Sequence, residues 1–190
     1  MLSNPREQEK LDPRVKRTRS LILRSFEDLL AEKGFESISV QDVTDKAEIN
    51  RATFYAHFPD KYALLDRSIS QMFMSEIEKR TLNVCSYSPD NLRNLILAVC
   101  EFISHLHSDC AQPHQQFESL VEGTIKKQIS DLLSYWLRNS KMPTEIPATV
   151  ATWTIYGLAS HYSHLKKRPV LETFVDEAFP LVAVNLEQFA

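Results

Sequence analysis

The chain has 190 residues, 43% hydrophobic and 25% charged, with a formal net charge of -3 at pH 7. That composition is ordinary for a soluble globular protein with room for one large or two small domains. No run of eighteen apolar residues suits a membrane span, and the opening MLSNPREQEKLD is too polar for a secretory signal, so a cytoplasmic location is expected.

Cys85, Cys100 and Cys110 are an odd set without CxxC spacing, which argues against a disulfide framework or a zinc site. Taken alone, the net acidity argues against nucleic acid, but the charge is unevenly spread. Residues 1–24 hold seven cations against three anions, whereas residues 62–190 hold eleven against fourteen. A basic end on an acidic chain is the asymmetry of a DNA-facing region. With only three glycines, and nine prolines mostly between long periodic segments, the chain reads as helices separated by breakers.

Asp12-Pro13 supplies an N-cap and a first helical position; Val15, Ile22, Phe26, Leu29 and Leu30 then share one face until Gly34 ends the helix. Ser39 with Asp42 makes a capping-box-like start, so a second helix is expected near Val40, with Val40, Val43, Thr44 and Ala47 as its inward stripe. Glu48, Ile49 and Asn50 interrupt that pattern, Asn50 can cap a new helix, and Arg51 to Phe58 resumes helical spacing until Pro59. The whole reads as a helix-turn-helix. Its second helix is barely two turns long and needs packing to persist. Phe54 and Phe58 supply an inward face, leaving Arg51, Thr53, Tyr55 and His57 outward, side chains that suit phosphates and base edges.

A connecting helix is expected from about Asp60 to Leu82, carrying Leu65, Ile69, Met72, Phe73 and Ile77. Ser88-Pro89-Asp90 opens the next, whose core face runs from Leu92 to Leu106. Pro113 is expected to start a short element through Val121, with Gly123 separating it from a helix through Arg138. The last two helices are expected over about 147–166 and 170–188, the latter bent at Pro180.

Gly34-Phe35, Thr53-Phe54-Tyr55, His57-Phe58 and Lys61, at these offsets, resemble the N-terminal DNA-binding domain of the tetracycline-repressor (TetR) family over about residues 14–65. The resemblance implies an all-α fold: an N-terminal three-helix helix-turn-helix domain (12–60), a connecting helix (61–84) and a C-terminal helical ligand-binding and dimerisation domain (85–190). It places Arg51, Ala52 and Thr53 nearest the bases and Tyr55, His57 and Lys61 at the backbone. Arg17, Thr18, Ser39, Gln41 and Asn50 complete the DNA-facing set. Two departures stand out: Glu48 occupies a turn position usually held by Gly, and Ala52 one often held by Gly. Glu48 in a left-handed conformation would carry a strain of roughly 1 kcal/mol.

The function implied is a homodimeric transcriptional regulator, most often a repressor, released from an inverted-repeat operator by an unidentified small molecule. Val150, Trp153, Gly157, Ser160, His161 and His164 share one face of the penultimate helix. The last helix carries Leu171, Phe174, Val175, Ala178, Leu181, Val182, Leu186 and Phe189, more apolar surface than a terminal helix usually needs. Family members pair these helices in a four-helix bundle, which gives an expected interface of Val150, Gly157, Ser160, His164, Phe174, Ala178, Leu181, Val182 and Leu186. Phe102, His105, Phe117, Trp136, Trp153, Tyr156, His161 and Tyr162 are the candidate effector pocket, mixing aromatic bulk with polar tips. His105, His107, His161 and His164 lack HExxH spacing, so no metal or other cofactor is expected. Without a P-loop, G-x-G-x-x-G or G-x-S-x-G, the chain does not read as an enzyme. The alternative is a helical interaction protein that acts on a protein partner as activator or adaptor.

Overall fold

A computed structural model describes residues 12–80, 86–109 and 115–187, and their regular structure is helical, in eight segments. In chain order these are α1 (Pro13–Lys33), α2 (Val40–Lys46), α3 (Arg51–His57), α4 (Lys61–Arg80), α5 (Pro89–Asp109), α6 (Gln115–Trp136), α7 (Glu145–His164) and α8 (Leu171–Ala183). They divide into two compact units. The first holds α1 to α3, α4 through Ile69 and the start of α6 through Val121; the second holds α4 from Ser70, α5, α6 from Glu122, α7 and α8. The division therefore falls inside α4, and the start of α6 belongs with the first unit.

Local signals set the helix ends in the first unit. The Asp12 carboxylate accepts from Arg14 N at 2.8 Å, and Gly34, at φ 72°, closes α1. The capping box of α2 is complete: Ser39 Oγ accepts from Asp42 N at 3.1 Å, and the Asp42 carboxylate accepts from Ser39 N at 2.7 Å. Asn50 Oδ1 accepts from Thr53 N at 2.7 Å and starts α3. Between α2 and α3 the chain reverses through Glu48, whose φ of 52° is the single non-glycine positive value among the described residues. Ile22, Phe26, Val43, Phe54, Phe58, Leu64 and Leu65 form the core under this turn, each at most 2% exposed. Phe35 meets the edge of Phe26 at 6.3 Å and Phe117 at 5.9 Å.

In the second unit α5 packs against α7 and α8. Leu92, Leu95, Ile96, Val99 and Ile103 of α5 are buried with Ala148, Ala151, Ile155 and Ala159 of α7 and Val175 and Val182 of α8. The small residues on α7 permit this close approach. Cys100 lies in the same core, and burial pushes its thiol up to about 12, as suits a small apolar packing group.

The structure corrects several expected boundaries. α6 runs unbroken through Gly123, because an interior glycine costs a helix only about 1 kcal/mol and long flanking apolar faces outweigh that. α6 also stops at Trp136, α7 starts at Glu145 with Pro147 in its first turn, and α8 ends at Ala183. Pro180 lies within α8, where it has no N–H for the carbonyl four residues earlier. Leu82, Cys85, Cys110, Pro113 and Phe189 fall outside the described residues.

The Glu48 conformation generates a direct test. Glu48→Gly removes the Cβ clash of the left-handed region, partly offset by greater freedom of the unfolded chain, so stability should rise by up to roughly 1 kcal/mol. A lower midpoint in thermal unfolding would show that the Glu48 side chain stabilises the turn by more than its backbone strain.

Candidate nucleic-acid interface

The seven residues of α3 divide cleanly by face. Phe54 is fully buried and Phe58, at its C-terminal cap, is 2% exposed; their rings lie 6.1 Å apart. Arg51, Ala52 and Tyr55 are exposed, while Thr53 and His57 are half-buried. Tyr55 meets Phe54 edge-on at 5.4 Å, and Arg51 Nη2 donates to Tyr55 Oη at 3.4 Å, a weak link one turn along the outer face. The exposed surface thus offers a guanidinium, a phenol and the open space beside Ala52, an arrangement fit for a groove lined by base edges and phosphates.

The other expected DNA-facing residues have several occupations. Arg17 and Gln41 are exposed, Gln41 donating to Asp45 at 2.6 Å. Thr18 donates back to the Arg14 carbonyl at 3.0 Å, and Ser39 and Asn50 act as helix caps. Thr53 Oγ1 donates to Asn50 Oδ1 at 2.9 Å, so this hydroxyl reinforces the start of α3 in the free protein. Burial first, and the charge of Arg19 second, hold the His57 imidazole below its ordinary pKa, which favours the neutral ring, able to donate through one nitrogen.

Lys61 is half-buried, with its ammonium turned into the fold. Nζ donates to the carbonyls of Phe35, Glu36 and Ile38 at 3.3, 3.4 and 3.0 Å and lies 4.6 Å from the Phe35 ring centre. The lysine ties the α1–α2 loop to the start of α4, a bracing role that sequence spacing did not reveal. In sequence Arg19 is only one of the seven cations of residues 1–24; its guanidinium lies 5.2 Å from the Phe58 ring centre, against the inner side of α3.

The expectations for the second unit separate into three groups. Val150, Gly157 and His164 are exposed on α7 and Leu181 is 65% exposed on α8, while Ser160 and Phe174 are half-buried. Ala178, Val182 and Leu186 are instead buried within the chain, at 5%, 0% and 0% exposure, because the opposite face of α8 packs on α5 and α7. These three are withdrawn from the outer surface. The pocket set also disperses: Trp153 is 61% exposed, His105 and His161 are exposed, and Phe117 belongs to the first unit. Phe102 packs on Phe73 at 5.3 Å, Trp136 is core, and Tyr162 packs on Phe174 and donates to the Pro169 carbonyl at 3.0 Å. Tyr156 is half-buried near the Lys126 ammonium, which lies 3.3 Å from the Trp153 ring centre.

Two measurements check this bracing. Lys61→Met should destabilise the first unit by about 1–3 kcal/mol in denaturant unfolding, because it strips a charged donor from three carbonyls. Equal stability would mean that those bonds are replaced by water at no cost. The Asp42 carboxylate, held far below its ordinary 3.8 by bonds from Ser39 and from Lys33, stabilises α2 above that pH and loses its contribution as pH falls through and below it. The stability gap between the parent and Asp42→Ala should accordingly narrow from pH 6 toward pH 2, and a constant gap would contradict the assignment.

Residues 22–67 match the family model described as bacterial regulatory proteins, tetR family. A transcriptional regulator of the helix-turn-helix type, YxbF of Bacillus subtilis, is 42% identical over 79 residues, covering 40% of this chain and 21% of that protein. The negative transcriptional regulator IcaR of the Staphylococcus aureus biofilm operon icaADBC is 28% identical over 109 residues, covering 55% of this chain and 57% of IcaR. Among solved structures, a TetR-family regulator from Streptomyces coelicolor aligns with a TM-score of 0.65 at 16% identity, over 93% of this chain and 98% of that one. FadR from Bacillus subtilis, in complex with stearoyl-CoA, aligns with a TM-score of 0.53 at 12% identity, over 88% and 98%. At those identities the structural likeness establishes the shared all-helical fold, while the matched N-terminal residues carry the lineage. Residues 22–67 are thus a region of the tetR family of bacterial regulatory proteins, set in a chain that shares the all-helical fold of TetR-family regulators.

Proposed function

We propose that the protein is a sequence-specific DNA-binding regulator that works as a homodimer on an inverted-repeat operator, as a repressor released by a small molecule. The observation that carries this is the division of α3: two phenyl rings anchor it, leaving Arg51, Ala52 and Tyr55 open to a duplex. Its family consists of DNA-binding regulators and not enzymes. Residues 12–60 hold the DNA reader, the helix from 61 leads out of it, and the second unit provides pairing and effector binding. Since no described helix is long and apolar enough to cross a membrane, an aqueous, DNA-containing compartment suits the chain.

One two-turn helix contacts too few base pairs to select a site, so pairing two copies supplies the missing specificity, with half-sites about 34 Å apart or a multiple of it. The surface supporting that pairing lies on α7 and α8. Ile146, Val150 and Trp153 are 76%, 42% and 61% exposed along one face of α7, with Gly157 one turn on. On α8, Leu181 and Val184 are each 65% exposed. Apolar side chains at these spacings on two adjacent helices suit a second copy presenting the same faces. For the effector, α6 offers the physical link, because Phe117 near its start packs on Phe35 of the DNA-binding unit. A ligand that displaces α6 would disturb that contact, and a coupling of about 1–3 kcal/mol would change DNA affinity five- to 150-fold.

Selection of bound sequences from a random duplex pool should recover two inverted half-sites. On the recovered site, Arg51→Ala should cost about 1–3 kcal/mol and relax one position, whereas Tyr55→Ala should weaken specific and nonspecific duplexes alike. Parent-like binding by both would place the reading face elsewhere. In light scattering, Val150→Glu with Leu181→Glu should reduce the particle mass to the 21.9 kDa of one chain. An unchanged dimer mass would reject α7 and α8 as the pairing surface.

A further inference from the structure

Arg19 of α1 lies at the C-terminal cap of α3, and the charge of Arg67 on α4 reaches it. The Nε atom of each is buried and has no hydrogen-bond partner among the described residues, and the Arg19 guanidinium is set against the Phe58 ring, 5.2 Å from its centre. His57 lies at the same corner, close enough to feel the Arg19 charge. Burial, and then the charge of Arg67, depress the Arg19 pKa, as two guanidinium groups brought together should. No ion pair joins either arginine to a carboxylate among the described residues. Two like charges, each with one unpartnered buried Nε, favour an anion that joins them.

We propose that Arg19, Arg67 and His57, converging from α1, α4 and α3, form a receptor for a phosphoryl oxyanion, supplied either by a DNA backbone phosphate or by a free phosphate-bearing solute. A single guanidinium fork already serves a planar carboxylate, whereas donors from three helices suit a tetrahedral group that accepts from several directions. Phe58 holds the Arg19 plane in place through its ring face. The same phenyl ring anchors α3, so occupancy of the corner also steadies the reading helix. The DNA source rests on the function proposed above; the free-solute source does not.

The test is thermal unfolding of the full chain at pH 7.5 in inorganic phosphate or chloride at equal ionic strength, paired with the salt dependence of binding to a random duplex. Phosphate should raise the parent's unfolding midpoint by several degrees beyond chloride, and Arg67→Met should abolish that excess. Arg67→Met removes a repelling charge, so it should fold at least as well as the parent; Arg67→Lys, which keeps charge without the fork, should recover only part of the excess. If a backbone phosphate occupies the corner, Arg67→Met should also lower the slope of log affinity against log salt by about one unit. A phosphate effect with an unchanged slope assigns the site to a free solute, and a changed slope assigns it to DNA. Should the parent bind no duplex, the phosphate comparison decides alone. A parent that gains no more from phosphate than from chloride, with an unchanged slope in Arg67→Met, overturns the proposal, as does a phosphate gain that survives the substitution.

Discussion

Everything on the DNA-facing side depends on two phenyl rings four residues apart. A seven-residue helix has too few internal bonds to persist in water, so α3 exists because Phe54 and Phe58 are buried and because Asn50 satisfies its first orphan donors. Removing either ring would forfeit about 3–5 kcal/mol of packing, comparable with the whole stability of many small domains. The same anchoring fixes which side of the helix stays open, so the open face is a by-product of how the core closes.

Three further devices hold that helix at a fixed angle. Glu48 accepts a left-handed conformation to turn the chain between α2 and α3. The reciprocal Ser39–Asp42 cap starts α2 where Val43 and Thr44 can be buried. Lys61 then ties the carbonyls of the preceding loop to the head of α4. Polar residues that look available for DNA in the sequence are thus partly occupied with construction, and the proposed reading set narrows to the exposed Arg51, Ala52 and Tyr55 with His57 at the edge.

Legibility in the sequence followed the range of the interactions. Asp12, Ser39 and Asn50 act within three residues of themselves, so α1, α2 and α3 were readable from spacing, as was the inward direction of Phe54 and Phe58. Longer-range facts were not readable. The Lys61 side chain reaches back more than twenty residues, and the charge of Arg67 reaches Arg19 only once α1 and α4 pack. Gly123 looked like a breaker because local propensity disfavours glycine, yet the apolar faces of α6 on both sides override it. The sequence shows that the last helix carries more apolar surface than a terminal helix usually needs but not which part of it the chain itself covers. Ala178, Val182 and Leu186 went inward, leaving Leu181 and Val184 outside.

The central claim is that the open side of α3 lies against a duplex, and a photo-reactive side chain placed at Ala52 tests it most directly. That position is exposed, small and flanked by Arg51 and Thr53, so a benzophenone there should leave the core intact. Irradiation with duplex DNA should yield a protein–DNA adduct from position 52 and none from the same group at Glu177 on α8. Adducts from Glu177 alone, or none from either position under conditions where the duplex is bound, would contradict the account.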